Sequence, residues 1–250
     1  MKKNLILTAL FLGISLTTFA QTGGAEGNSV LNSENSNIIN EDRSFWSNTF
    51  VNAGFGGQIL IGDHERQMRI RDMISPALQV AVGKWFTPVV ALRLMYTGWS
   101  LNGATQDAAL GNGKPIPNKP WHGYWLYEQE IKYMSLNAEA MFNLSNVFFG
   151  YDKNHAWDFC PYIGLGWMHA SKRKVTNEIG MNVGLHNAFR ITDALDFTLD
   201  LRGSMVDDGF DAEIGGRGLQ FLMSAAIGFA YNIKPVVWKK NSKNVIDETK

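Results

Sequence analysis

Between residues 49 and 233 the chain keeps alternating apolar with polar positions. Residues 195–206, LDFTLDLRGSMV, show it most sharply: Leu195, Phe197, Leu199, Leu201 and Met205 fall on one side, Asp196, Thr198, Asp200, Arg202 and Ser204 on the other. Successive side chains of extended backbone point to opposite faces, so a period of two marks a strand whose faces meet different surroundings. Seven further segments of this kind can be placed, at 49–61, 76–86, 89–100, 129–144, 159–170, 179–191 and 219–233. The clearest is 129–144, where Met134, Leu136, Ala138, Ala140, Phe142 and Leu144 alternate with Ser135, Asn137, Glu139 and Asn143.

The connections alternate too. Thr87-Pro88 and Thr192-Asp193 make tight turns, whereas 62–74, 101–127, 171–178 and 207–218 are longer and polar. An even strand number with connections alternating in length predicts an all-β fold, an eight-stranded antiparallel up-and-down β-barrel. One connection, 145–158, is long where the alternation wants a short turn.

The distribution of charge decides what surrounds the wall. The polar faces collect Arg93, Glu139, Arg190, Asp196, Asp200 and Arg202, three residues of each sign. A balanced set contributed by several strands suits a narrow lumen filled with paired side chains, because an unpaired charge there is strongly unfavourable. A Lys or Arg on a lipid-facing surface costs about 2–4 kcal/mol at mid-bilayer, and the apolar faces carry none at mid-height. Lys84 lies beside a turn, where it can snorkel to the headgroups; Asn187 is a smaller flaw. Trp85, Phe86, Trp99, Trp125, Trp157, Phe159, Trp167 and Tyr231 sit near strand ends, as interfacial girdles require. The predicted barrel is therefore a transmembrane one, with oil outside and charge within.

The ends support export. Residues 1–20, MKKNLILTALFLGISLTTFA, combine Lys2 and Lys3, an apolar run and a small-residue cleavage site before Gln21, the layout of a secretory signal peptide. No cysteine follows that site, which argues against a lipoprotein. Residues 21–45 read as a flexible leader, 46–234 as the barrel and 235–250 as a short periplasmic tail. No later window is apolar for the roughly 18–20 residues of a membrane helix, but a barrel strand needs only about 9–11.

Composition narrows the chemistry. The 23 basic and 23 acidic residues leave no positive field for nucleic acid. Cys160 stands alone, so neither a disulfide framework nor a cysteine metal site is expected. GFGG (54–57) and GLG (164–166) open no helix, so room inside a tight barrel explains them better than phosphate binding. DDGFDAE (207–213) lacks the spacing of a calcium loop. No metal or cofactor is expected. Five histidines, His64, His122, His155, His169 and His186, raise the question of catalysis, with Ser100 or Ser171 as nucleophile and Asp63 or Asp107 as orienting group. Triads are recognised by geometry, and no spacing here is diagnostic; solvent-exposed loop histidines are the plainer reading.

The stretches ISPALQVAVGKWFTPVVALRL (74–94), YMSLNAEAMFNLSNVFFGY (133–151) and PYIGLGW (161–167) resemble the OmpA-like outer-membrane β-barrel family over most of residues 46–240. The resemblance implies an eight-stranded barrel with a filled interior in the outer membrane. Gly228, Tyr231 and Ile233 approximate the family's barrel-assembly signal, with Ala226 at a position that is usually polar. Many members continue into a periplasmic domain that grips peptidoglycan. With the sequence ending at Lys250 that role is not expected here.

The function expected from all this is non-catalytic: envelope integrity and surface contact by a barrel whose lumen is plugged by ion pairs. A narrow solute or ion channel, in which Arg93, Glu139, Asp200 and Arg202 re-pair on opening, is the alternative, and a rim-sited lipid-modifying enzyme is a second. Outer-membrane lipid and lipopolysaccharide are the expected partners. The proline-stiffened, aromatic loop containing Trp121, His122, Tyr124 and Trp125 is the candidate contact for a surface or envelope protein.

Overall fold

The computed structural model describes residues 38–40, 45–62, 64–116, 125–152, 154–171, 175–207, 210, 219–234 and 238–240. Its central feature is a closed barrel of eight strands, each hydrogen-bonded to its sequence neighbours and the last to the first. After a short strand β1 (Ile38–Asn40), the barrel runs β2 (Thr49–Ile61), β3 (Ser75–Trp85), β4 (Val90–Thr105), β5 (Tyr127–Phe142), β6 (Trp157–Ser171), β7 (Val175–Arg190), β8 (Leu195–Asp207) and β9 (Leu219–Asn232), with β10 (Trp238–Lys240) beyond it. Closure pairs β2 with β9 antiparallel, Val51 facing Tyr231 and Ile61 facing Phe221. A closed ladder leaves no strand edge to be satisfied by lipid, which cannot hydrogen-bond.

Both tight turns are built by one device. Thr87 Oγ1 accepts from the backbone N–H groups of Val89 and Val90, and Thr192 Oγ1 from those of Ala194 and Leu195. A hydroxyl that satisfies turn amides replaces ladder partners the backbone has lost. The long third connection at this end contains a short helix, Leu144–Phe149. Asn143 caps it by accepting from Asn146 N at 3.0 Å. Asn146 Nδ2 donates to Pro88 O at 2.7 Å, and Ser145 Oγ accepts from Phe159 N at 3.0 Å. The helix thus stitches the β3–β4 turn to the start of β6, which is why this connection outgrows a turn.

β4, β5 and β7 have 16 residues each, against about 9–11 for a bilayer crossing. They extend past the segments expected for them, β4 to Thr105 rather than Ser100 and β7 from Val175 rather than Ile179. Beyond the lipid the outward face need not be apolar, so the alternation fades before the strand does. Residues 38–40 and 238–240, expected within a flexible leader and a polar tail, instead pair antiparallel as β1 and β10. The apolar islands Ile38-Ile39 and Trp238 interrupt those polar segments. The signal peptide assigned to residues 1–20 lies outside the described residues.

The wall faces two ways, as the alternation requires. Leu92, Leu94, Leu136, Ile163, Leu165, Val183, Ile227 and Phe229 all lie on the outer surface, while Asn52, Arg93, Asn137, Glu139, Asn182, Asp200 and Ser204 are buried in the lumen. Lys84 Nζ donates to the carbonyls of Phe45 and Ser47 at the turn end, away from mid-height. Asn187 is shielded: Trp157 Nε1 donates to its Oδ1 at 3.2 Å. Most of the expected girdle aromatics are exposed, but Trp85 turns inward against Phe50, with ring centroids 6.4 Å apart.

Candidate functional site in the lumen

The lumen is stacked in tiers along the barrel axis. At the turn end Phe50, Ala91, Met141, Cys160 and Tyr162 form an apolar tier against which Trp85 packs. At the loop end Leu60, Leu101, Ile131, Tyr133, Met168, Val206, Phe210 and Leu222 form a larger one. Above it, under the outer connections, Ala104, Ile116 and Leu126 pack with Met68. Between the two principal apolar tiers lies the charge. The alternation does not predict the outer apolar tier: Leu101 and Phe210 fall in the polar connections at 101–127 and 207–218, and Leu60, Val206 and Leu222 on inward positions near strand ends.

Four of the expected ionic residues come together as a chain of alternating sign. Asp200 Oδ2 accepts from Arg93 Nη1 at 2.9 Å, Glu139 Oε2 from Arg93 Nε at 2.7 Å, and Glu139 Oε1 from Arg202 Nη2 at 2.5 Å. Register explains part of this: Arg93 on β4 stands directly opposite Glu139 on β5. Asp200 and Arg202, two apart on β8, point into the same lumen and reach across it. All four are at most 6 % exposed. Opposite charges so close, out of water, attract strongly; both Glu139 oxygens are taken by guanidinium N–H groups, and Asp200 has a further hydrogen-bond donor beside Arg93, which offsets part of the cost of burying the charges.

Two further residues belong to the cluster. Tyr162 Oη donates to Asp200 Oδ1 at 2.7 Å. Its ring lies beneath both guanidinium groups, with Cζ of Arg93 at 4.5 Å and Cζ of Arg202 at 5.4 Å from the centroid, within reach of the ring's negative face. His186, opposite Asp200 in register, brings Nδ1 within 3.1 Å of Asp200 Oδ2. Both residues sit on inward-facing positions of the alternation, so strand parity alone could have added them. Gly164 stands opposite Glu139, and Gly184 opposite both Tyr162 and Arg202. A Cβ at either glycine would collide with Glu139 or Tyr162, so these glycines make the space the large side chains fill.

Amides continue the polar tier toward the loop end. Asn182 Nδ2 and Ser135 Oγ both donate to Asn137 Oδ1, at 2.7 and 3.0 Å. Gln58 Nε2 donates to Pro76 O at 2.8 Å and its Oε1 accepts from Tyr133 Oη. Nearer the turn end Asn52 Nδ2 donates to Thr198 Oγ1 at 2.9 Å. Arg93 Nη2 and Arg202 Nε and Nη1 have no hydrogen-bond partner among the described residues.

Arg190 and Asp196 stand apart from the chain of four. They face each other across β7 and β8, half-buried at the turn end, and Asp196 Oδ2 accepts from Asn232 Nδ2 at 2.9 Å. No ion pair joins them among the described residues. They line a cavity of about 270 Å³, shared with Asn143, Asp158, His186 and the buried Trp238. It opens beneath the lower apolar tier.

The other candidates are dispersed. Trp125 is exposed, while Trp121, His122 and Tyr124 lie outside the described residues. His64 Nε2 lies 2.8 Å from Gln106 Nε2, Asp107 Oδ1 accepts from Ala109 N, and His169 Nδ1 lies 2.9 Å from Asn177 Oδ1. Ser100 sits on the outer wall and Ser171 at the loop end of β6; Asp63 lies outside the described residues. No group of three or more His, Cys, Asp or Glu residues suited to a metal occurs among the described residues. In the first connection, Glu65 is buried and accepts from Gly62 N and Ala104 N at 3.0 and 3.1 Å. Burial pushes its carboxyl above the usual range, against the opposing pull of those two N–H groups.

No protein-family model matches the chain. It is similar to outer membrane protein 40 of Porphyromonas gingivalis, 23 % identical over 199 residues that cover 76 % of this chain and 48 % of that protein. It is also similar to outer membrane protein 41 of the same organism, 26 % identical over 214 residues, 82 % of this chain and 49 % of that protein. The chain thus spans about half the length of the curated relatives it matches. Among solved structures it resembles neisserial surface protein A (TM-score 0.48, 10 % identity, 74 % of this chain and 97 % of that one). The N-terminal barrel domain of Pseudomonas aeruginosa OprF is similar at a TM-score of 0.38 and 12 % identity, over 74 % of this chain and 98 % of that one. The chain is an integral outer-membrane β-barrel of eight strands with ion pairs buried in its lumen.

Proposed function

We propose that this barrel serves the integrity of the envelope and contact at the cell surface, without catalysis and with a lumen that stays shut. One observation carries the reading: the chain Asp200–Arg93–Glu139–Arg202 lies between two apolar tiers. An ion passing through would have to shed its water twice and compete with partners already paired, and eight strands enclose little more than side chains. The proposed partners are outer-membrane lipid and lipopolysaccharide along the wall, and an envelope or surface protein at the outer connections, where Trp125 is exposed. Export through the signal peptide at residues 1–20 belongs to the same reading.

The test is ion and small-solute flux through liposomes carrying the refolded mature protein, beside an Arg202→Ala variant, together with mass spectra of lipid A from cells overproducing it. No flux from either protein and unmodified lipid A are expected. Flux through the native protein that changes in the variant would establish a channel instead; altered lipid A would establish an enzyme.

A further inference from the structure

The outer wall carries a backbone anomaly of its own. Trp99 has φ of 144°, a conformation that bulky residues adopt only under strain. In register it stands between Ala77 and Tyr133, both buried in the lumen, so strand parity should turn it inward. It is instead 56 % exposed, its ring nearly perpendicular to that of outward-facing Phe55 at 6.4 Å. The twist at Trp99 carries an aromatic side chain from the lumen side to the lipid side.

What it borders there is a depression lined by Tyr96, Gly98, Trp99, Ser100, Glu130 and Lys132. Gly98 forms its floor. A Cβ at Gly98 would come within 2.7 Å of Tyr133 O and 3.1 Å of Met134 Cα, and the Tyr96 hydroxyl lies 3.4 Å from that point. The tyrosine therefore leans over the glycine with its polar tip directed along the wall. Ser100 and Lys132 face each other in register on the same outward surface. Lys132 is exposed and makes no ion pair among the described residues. These residues lie in the loop-end stretches of β4 and β5, and the longer connections of such barrels face outward. The depression thus sits where the wall meets the headgroups of the outer leaflet.

We propose that this depression binds one phosphorylated glycolipid of the outer leaflet more tightly than annular lipid. It rests on the reading above that outer-leaflet lipid is a partner. Lys132 pairs with the phosphate, and the hydroxyls of Ser100 and Tyr96 donate to its oxygens or to the adjoining sugar. Trp99, swung outward, lies along the sugar and the first part of the acyl chains; aromatic rings suit this boundary because one end is apolar and the other wet. Glu130, one step nearer the loop end on the same face, repels a second phosphate and sets the headgroup on the Lys132 side. The strain at Trp99 persists because it places this ring where the lumen could not use it.

The test is native mass spectrometry of the refolded full-length mature protein in detergent, titrated with monophosphorylated lipid A, the same lipid without phosphate, and phosphatidylglycerol. The native protein is expected to hold one monophosphorylated lipid A, with at least a tenfold loss of apparent affinity on removing the phosphate or on Lys132→Gln. Trp99→Leu should weaken binding as well, while Lys84→Gln, at the opposite end of the wall, should leave it unchanged. Gel mobility of unheated samples checks that each variant has folded. Equal retention by the native protein and Lys132→Gln would overturn the proposal, as would equally tight, Lys132-dependent binding of phosphatidylglycerol. Neither result would alter the flux outcome on which the closed-lumen reading depends.

Discussion

The middle and outer tiers of the lumen occupy the same tube a few residues apart, yet they are made of opposite materials. The middle tier is held by charge: Arg93, Glu139, Asp200 and Arg202, with Tyr162 beneath the guanidinium groups. The outer tier is oil: Leu60, Leu101, Ile131, Met168, Val206 and Leu222. Charge specifies an arrangement but contributes little net stability once desolvation is counted, whereas buried hydrocarbon contributes stability and specifies less. The two tiers therefore contribute differently: the ionic chain ties β4 and β5 to β8 across the lumen, and the apolar tier supplies cohesion through buried hydrocarbon.

That division predicts different responses to damage. The largest loss should come from Arg93→Ala, which strands Glu139 and Asp200 in the interior. A cost of about 3–5 kcal/mol is expected in urea-dependent folding into lipid vesicles. Arg202→Met should cost less, since Arg202 holds one carboxylate and two of its nitrogens have no partner among the described residues. Arg93→Met combined with Asp200→Asn should recover much of the loss by leaving Glu139 and Arg202 paired. If the double variant were worse than Arg93→Ala, the charges would be acting through something other than mutual neutralisation.

In the apolar tier, Leu101→Ala should cost about 2–5 kcal/mol by opening a cavity, with no compensating partner to restore it; the same vesicle equilibrium reads it. On the outside of the wall, Trp157→Phe should cost about 1 kcal/mol, because it removes the indole that satisfies Asn187. Replacing Asn187 by Leu as well should return that loss.

The smallest effect is one of pH. The native state raises the carboxyl of Glu65, so its proton is held more tightly folded than unfolded. The contribution is full below the ordinary value of 4.5 and is lost as pH rises through the higher native value. Hydrogen exchange at Gly62 and Ala104, corrected for intrinsic rates, should be slower at acid pH than at neutral pH. Glu65→Gln should flatten the difference.

Most of the barrel was legible in the sequence because its alternation is imposed by two unlike solvents. β2 runs from Thr49 to Ile61, as expected, because lipid and lumen meet it along its full length. The tiers were not legible for the same reason turned round. Leu60 and Val206 fall on polar faces, where in a linear reading each passes for an irregularity at a strand end, and Leu101 falls just past the segment expected for β4, in a polar connection. Only the register of several strands brings them to one height and makes them a core. The ionic chain was half visible: parity gave its four charged members, but a ladder partner does not reveal which charge across the lumen answers another. Arg190 and Asp196 share that parity, yet they lie a tier lower, at the mouth. Trp99 defied parity outright, because a positive φ reverses a side chain without leaving a mark on the pattern.

In the proposed closed-lumen reading, the apolar tiers, more than the ion pairs, keep the lumen shut. Conductance of single refolded molecules in planar bilayers tests it directly, comparing the native protein, an Arg202→Ala variant and a Leu60→Ser/Leu101→Ser double variant. The native protein and Arg202→Ala should be silent, and the double variant should conduct. Conductance in the native protein or on loss of Arg202 alone, with none added by the double variant, would contradict the account and make the charged tier the gate.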